Sequence, residues 1–494
     1  MANNIPAAAL RQFIAGKWED GDGAELASDN PARPEETVAA GRQATAEQLE
    51  RSVAAASEAA RAWAAAPMHE RGAVLLRAAG LLDAAAEELG LELAREEGKT
   101  LAEGRGEVAR AAQILRYYGN EGDRAAGEVF SSPRRGEQIL VVRKPLGVVG
   151  VVTPFNFPIA IPAWKIAPAL VYGNTVVWKP ASTVPLLAQR LAEALDEAGL
   201  PKGVLNLVIG PGALGSALVE HPLLDGLTFT GSTGVGRRLA AAGAGRGVPV
   251  QAEMGGKNAA VVLAGADLDL AAEQVLFGAF RSSGQKCTAT SRLIVEDTVA
   301  DDFLARLTGR LQQWNTGDPA DPTVQMGPLV SASAAADVRS GIEAALSGGA
   351  GLVFRGSLPD GAGTESAFVP PTILELPADA AAAESNPAWT EEFFGPVLAV
   401  RRAGGAAQAF EWAGQGEYGL SAAVFTQDIT RVLDAVEGID VGILHVNSES
   451  AGADPHVPFG GARKSGYGPK EQGQSAKEFF THTTTVYLRG GTPA

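Results

Sequence analysis

The sequence predicts an α/β protein with a doubly wound parallel region, a second α/β region and a strand-forming tail. Three observations carry this expectation. Helical periodicity runs from Ala46 to Tyr118; short β-branched runs bounded by Gly or Pro alternate with amphipathic segments after Gln138; and the tail Thr483 to Leu488 alternates as a strand does. A chain of 494 residues exceeds one ordinary core, so two or three domains are expected.

Between Ala46 and Tyr118, Ala, Leu and Glu dominate and Pro67 is the only proline, which predicts two or three long helices. Val148 to Val152, Thr175 to Trp178, Val204 to Ile209 and Leu227 to Phe229 read as buried parallel strands. Helices around Ile161 to Leu170, Val184 to Ala198 and Leu214 to Glu220 lie between them, as a doubly wound fold requires. Val261 to Leu263 opens the second α/β stretch, which continues through Arg292 to Val295 and Val397 to Val400. The tail strand has two candidate partners, Gln138 to Val142 or another subunit.

The formal charge is −16, from 57 acidic and 41 basic residues interspersed along helical stretches. This argues for solubility and against a nucleic-acid partner, because no basic patch with interleaved aromatics is present. Met1 to Arg11 lacks a basic stretch followed by an apolar core, and the longest apolar runs are too short to span a bilayer, so no membrane partner and a cytoplasmic location are expected. One cysteine excludes an intramolecular disulfide and a Cys-rich zinc site, and five scattered histidines point to no catalytic metal.

Cys287 lies in Gly284-Gln285-Lys286-Cys287-Thr288, where polar, glycine-rich flanks fit a turn and leave open either an inert thiol or a nucleophile. Glu253, in Gln251-Ala252-Glu253-Met254-Gly255-Gly256-Lys257, reads as a general base or a capping carboxylate. Two glycine segments compete for a phosphate. Gly210-Pro211-Gly212-Ala213-Leu214-Gly215 has the G-x-G-x-x-G spacing but no acidic residue at the distance a ribose contact needs; Phe229 to Gly236 also runs from a strand into a helix. A tight strand-to-helix turn explains either one equally well. Asn156, in Pro154-Phe155-Asn156-Phe157-Pro158, follows a strand where doubly wound folds place ligands, which makes its amide a candidate oxyanion donor; an Asx turn is the alternative. Lys179, in Trp178-Lys179-Pro180, ends the next strand as a cation for a ribose or phosphate, or as a solvated lysine.

Taken in this order, the motifs PFNFP, WKPAS, FTGST, EMGGK, GQKCT, EEFFGP and HVPFGG resemble the aldehyde dehydrogenase superfamily from about residue 10 to the last strand. The resemblance implies a Rossmann-type cofactor domain (1–124 and 146–255), an α/β catalytic domain (256–455) and a small β oligomerisation arm (125–145 and 477–494), with 456–476 returning to the active site. It implies Cys287 as nucleophile, Asn156 with the Cys287 N–H as oxyanion donors, and Glu253 as the base that activates water. That base is typically missing from relatives that pass the thioester to coenzyme A.

Lys179 and Glu392 are implied for the two riboses, and Gly212, Gly231 and Ser232 for the adenine and pyrophosphate, with Thr153, Pro154, Phe155, Ser182, Phe229 and Phe394 completing the site. Members strict for NAD often carry Glu where this chain has Ser182; a carboxylate would repel a 2′-phosphate and a serine would not, so either NAD or NADP is expected. Gly466 to Gly473 is one residue longer than in common members, leaving Lys470 and Glu471 as alternatives for a second acidic position. Ile159 to Gly173, CTATSRLIV and AGADPHVPFGG resemble most the 2-oxoglutarate-semialdehyde (2,5-dioxopentanoate) dehydrogenases, with aromatic (benzaldehyde or vanillin type) or broad aliphatic aldehydes as alternatives. Arg281 is the candidate cation for a distal carboxylate, or else an outward helix-face residue; Phe157, Trp164 and Phe459, with Phe155, supply the apolar wall. A homodimer or homotetramer follows from family habit.

Overall fold

The computed structural model describes residues 6–363 and 365–491. Five parallel strands form the centre of the first sheet, in the order Val250–Glu253, Gly226–Thr230, Val148–Val152, Thr175–Lys179, Leu205–Leu207. Counted along the chain this is 3-2-1-4-5 read from the Leu205 side, and the order reverses between Val148–Val152 and Gly226–Thr230. In a doubly wound sheet that reversal opens a crevice at the carboxyl ends of the strands. Helices Ala160–Val171, Leu186–Glu197, Gly212–Glu220 and Thr233–Arg246 connect the strands.

Alternation builds the core. Val149, Val151, Val176 and Trp178 face one apolar layer, whereas Val148, Val177, Leu227 and Phe229 face the other. A strand buried on both faces must be apolar at every position, which is why these runs are continuous in the sequence. The second sheet repeats the device. Its parallel strands run in the order Thr372–Glu375, Val397–Ala403, Thr290–Glu296, Asn258–Val262, Ser421–Phe425, Ile443–Val446, and odd and even side chains feed separate layers: Val261 and Ile294 on one side, Val262 and Val295 on the other.

The helical stretch is divided more finely than its periodicity predicts. Four helices occupy it: Ala46–Ala65, Met68–Ala84, Ala86–Glu97 and Leu101–Gly119. Thr45 with Gln48, and Thr100 with Glu103, form capping boxes, and Gly98 ends a helix at φ +97°. The expected strand over Val204 to Ile209 contracts to Leu205–Leu207, while five N-terminal strands between Ala8 and Arg42 had no sequence expectation at all.

The tail strand, Thr481–Arg489, pairs antiparallel with Glu137–Pro145 of its own chain over nine positions, and Gly127–Ser131 completes a three-stranded arm. The termini 1–5 and 492–494 of the expected domain segments lie outside the described residues. Among the described residues, no helix is long and apolar enough to cross a membrane.

Candidate active site

The two sheets meet end to end. Glu253 is the last residue of a strand in the first sheet and Asn258 the first of a strand in the second, so the carboxyl edge of one faces the amino edge of the other across four residues. Asn156, Lys179 and Ser232 lie at or just beyond carboxyl ends in the first sheet; Cys287 and Glu392 lie just before amino ends in the second. The topology thus gathers residues far apart in sequence.

Cys287 is reached through a strained turn. Ser282, Ser283 and Gly284 all have positive φ (54°, 52° and 71°), a conformation that costs about 1 kcal/mol or more at each non-glycine residue and persists only where surroundings enforce it. Here they do. Ser282 N–H donates to Glu103 at 2.7 Å, Ser283 Oγ to the Gly327 carbonyl at 2.8 Å, and a Cβ on Gly284 would run into the Gly395 carbonyl. Asn258 Nδ2 donates to the Cys287 carbonyl at 2.8 Å and to that of Ala289 at 2.9 Å. The thiol is half-buried at the wall of a cavity of about 270 Å³. Burial pushes it above its ordinary range, with Glu253, Glu392 and Glu471 adding to the rise, so the resting group is a thiol.

Asn156 is fixed against this turn. Its Nδ2 donates to the Gln285 carbonyl at 2.8 Å, and its own backbone carbonyl accepts from Lys99 Nζ. One amide hydrogen remains for a ligand. Lys99 is fully buried, 2.7 Å from Glu107 and 3.6 Å above the Phe157 ring; Glu107 in turn accepts from the N–H groups of Ile159 and Ala160 at 3.1 and 3.2 Å. Lys99, Glu107 and Asn258 escaped the sequence reading. Only Asn258 left a signal, as the residue following EMGGK.

Glu253 is buried, and its Oε2 has no hydrogen-bond partner among the described residues. Burial raises its pKa well above the ordinary carboxyl value, and Glu471 raises it further, against the nearby Lys165 and Lys470. At the open alternative, Lys470 and Glu471 are engaged differently. Glu471 is buried and paired with Lys165, which also donates to Thr228 at 2.8 Å, whereas Lys470 Nζ donates to the Gly460 carbonyl.

Around the crevice, a dinucleotide fits the residues present. Ser232 caps helix Thr233–Arg246 without using its hydroxyl, and a Cβ on Gly212 or Gly234 would meet open space, so both glycine segments present free helix N-termini. A Cβ on Gly231 would strike the Phe229 ring. Lys179 is buried, and desolvation lowers it to about 8 with no carboxylate within reach among the described residues. Ser182, near it, is half-buried. Glu392 accepts from the Gly256 N–H at 3.0 Å, and burial lifts it to about 7. Thr153 accepts from Trp178 Nε1 at 2.9 Å, and Phe155, one residue past Pro154, meets Phe394 edge to face at 5.8 Å.

The aldehyde side is equally defined. Phe157, Trp164, Phe459 and Arg281 line the Cys287 cavity, with Trp164 and Phe459 5.3 Å apart. Arg281 stacks over Phe277 at 3.6 Å and stands 3.7 Å from Glu449, its side chain 44% exposed. Phe155 lies outside this lining, against Phe394.

Comparison with known proteins matches this arrangement. The sequence pattern described as "Aldehyde dehydrogenase family" covers residues 18–486. The chain is 42% identical to alpha-ketoglutaric semialdehyde dehydrogenase of Bacillus subtilis, over 97% of each chain, and 38% identical to 2,5-dioxopentanoate dehydrogenase of Saccharolobus solfataricus, over 96% of this chain and 98% of that one. Among solved structures, an NAD-dependent aldehyde dehydrogenase from Sinorhizobium meliloti superposes with a TM-score of 0.93 at 32% identity, over 99% of this chain and 96% of that one.

Proposed function

The chain belongs to the aldehyde dehydrogenase family and oxidises an aldehyde with NAD or NADP; from that premise we propose that it converts 2-oxoglutarate semialdehyde to 2-oxoglutarate through a thioester on Cys287. Near-full-length identity of 42% to the Bacillus subtilis semialdehyde enzyme is the observation that carries the substrate.

Cys287 Sγ, once deprotonated, attacks the aldehyde carbon, and the oxygen that becomes negative is held by the free hydrogen of Asn156 Nδ2 and the Cys287 N–H. A bound nicotinamide would supply the hydride acceptor that the conversion of this adduct to a thioester needs. Glu253 then removes a proton from water, the water oxygen bonds to the acyl carbon, and the C–S bond breaks to return Cys287. Buried near enough to Cys287 to raise its pKa, and with one oxygen unpartnered among the described residues, Glu253 suits that step, and it favours water over coenzyme A as acceptor. Lys179 and Glu392 hold the riboses, while Gly212, Gly231 and Ser232 receive the adenine and pyrophosphate.

Arg281 anchors the distal carboxylate. Its pairing with Glu449 is long and half-exposed, a kind of contact worth at most about 1 kcal/mol, so a substrate carboxylate displaces it readily. The aromatic wall supports a second reading, an aromatic aldehyde. The protein acts as a cytoplasmic homo-oligomer joined through its arm.

The test compares kcat/KM for 2-oxoglutarate semialdehyde, succinate semialdehyde, an aliphatic aldehyde and benzaldehyde with each cofactor. The first should lead, and Arg281→Leu should lower the acidic substrates selectively. A lead for benzaldehyde, or equal losses on all four, would overturn the assignment.

A further inference from the structure

Behind the active site, on the far side of the turn that carries Lys257, lies a second cavity of about 500 Å³, within the range that small-molecule sites occupy. It shares neither Cys287 nor Arg281 with the aldehyde cavity. Its walls include Lys257, Arg292, Trp389, Gln415 and Tyr418.

The charges here do not balance locally. Lys257 is 6% exposed and Arg292 4% exposed, and neither has a carboxylate within 4 Å among the described residues. Of the two acidic residues on the lining, Glu417 pairs with Lys464, while Glu384 stands 3.9 Å from Arg401 and accepts from Gln415 Nε2 at 3.4 Å. Arg292 is locked in place by the carbonyls of Lys257, Trp412, Ala413 and Gln415 at 2.8 to 3.2 Å, which fixes its position and leaves its charge without a counter-ion. Lys257 Nζ donates one proton to the Glu391 carbonyl at 2.6 Å and retains two others. Gln415 Oε1 is buried and unpartnered. Unpaired buried cations cost several kcal/mol unless they neutralise or find an anion. The molecule reflects that cost: burial, reinforced by Arg292 and only partly opposed by Glu392 and Glu391, holds Lys257 down at about 7, and burial with Arg463 holds Arg292 at about 9.

We propose that this cavity binds a small organic carboxylate, its charge seated on Lys257 beside Arg292 and its body against Trp389 and Tyr418. The volume exceeds what a lone inorganic anion fills, and the fixed cations supply the charge that such a ligand lacks a partner for in water. The site is distinct from the one that takes the aldehyde.

The chain's single cysteine makes a clean test possible. Protein alkylated with iodoacetamide at Cys287 blocks turnover; it is then titrated calorimetrically with benzoate, 2-oxoglutarate and inorganic phosphate. One carboxylate equivalent per chain is expected, weakened at least tenfold in Lys257→Met. Gln415→Glu, at a half-buried position, plants an internal carboxylate beside the cations and should likewise weaken binding at least tenfold, with far-UV circular dichroism checking that each variant is folded. Absence of binding at millimolar ligand, or binding untouched by both substitutions, overturns the proposal. Phosphate binding without carboxylate binding overturns the ligand class.

Discussion

At the scale of single residues, the chemistry rests on groups whose protonation is set by burial. Desolvation and Glu471 raise the pKa of Glu253 well above the ordinary carboxyl value, so its base form is gained as pH rises. Steady-state kcat should therefore increase with pH, above the range where an ordinary carboxyl titrates, wherever thioester hydrolysis limits turnover. Glu253→Gln should flatten that limb and lower kcat by about 10²- to 10⁴-fold while a first-turnover burst of NAD(P)H at 340 nm survives. Cys287→Ala should remove the burst as well and leave cofactor binding intact by fluorescence titration. Lys179 carries the opposite sign. Burial lowers it to about 8, so its charge is lost as pH rises through that value. The KM for either cofactor should climb above about pH 8 if Lys179 holds a ribose through its charge, and more steeply for NADP if the cation also meets the 2′-phosphate; flat curves for both would remove Lys179 from cofactor binding. Cys287, Glu253 and Asn156 stood out in sequence through their flanking motifs. Lys99 and Glu107 did not, because a buried lysine paired across eight residues of helix and turn has no local signature until the fold closes around it.

At the scale of elements, the legible parts were those with a strong period. The parallel strands emerge where expected because burial on both faces demands uninterrupted apolar runs, and the tail strand emerges because alternation suits a one-sided arm. The N-terminal strands were invisible: three of them are three residues long, shorter than any window in which periodicity can be read. The division into four helices was likewise hidden, because Ala85 and Gly98 interrupt without proline. The turn ahead of Cys287 is the element with most consequence. Gly284 combines φ +71° with direct contact against the Gly395 carbonyl, so a methyl group there is excluded both by conformation and by space. Gly284→Ala should destabilise the protein by more than about 1 kcal/mol, read as a lower urea midpoint. It should also change the alkylation rate of Cys287, since the thiol hangs from that turn. Unchanged stability and alkylation would mean that the turn relaxes freely.

At the scale of the whole molecule, two sheets set end to end divide the labour in the proposed mechanism, the first offering helix N-termini to a dinucleotide and the second offering the nucleophile. The arm belongs to neither. It is a three-stranded antiparallel sheet whose strands expose Val129 at 74%, Phe130 at 48%, Tyr487 at 59% and Leu488 at 46%. Apolar side chains exposed on this sheet suit a surface that a second copy of the chain would cover, as the proposed homo-oligomer requires. Val129→Asp combined with Tyr487→Asp places charge where the apolar contact would form, without touching the hydrogen-bonded register between Thr481–Arg489 and Glu137–Pro145. Sedimentation should then show the assembly shifting to monomer, with far-UV circular dichroism unchanged. Because every residue assigned to the thioester chemistry comes from one chain, the monomer should still produce a first-turnover burst. An assembly that survives both charges would locate the interface elsewhere on the molecule.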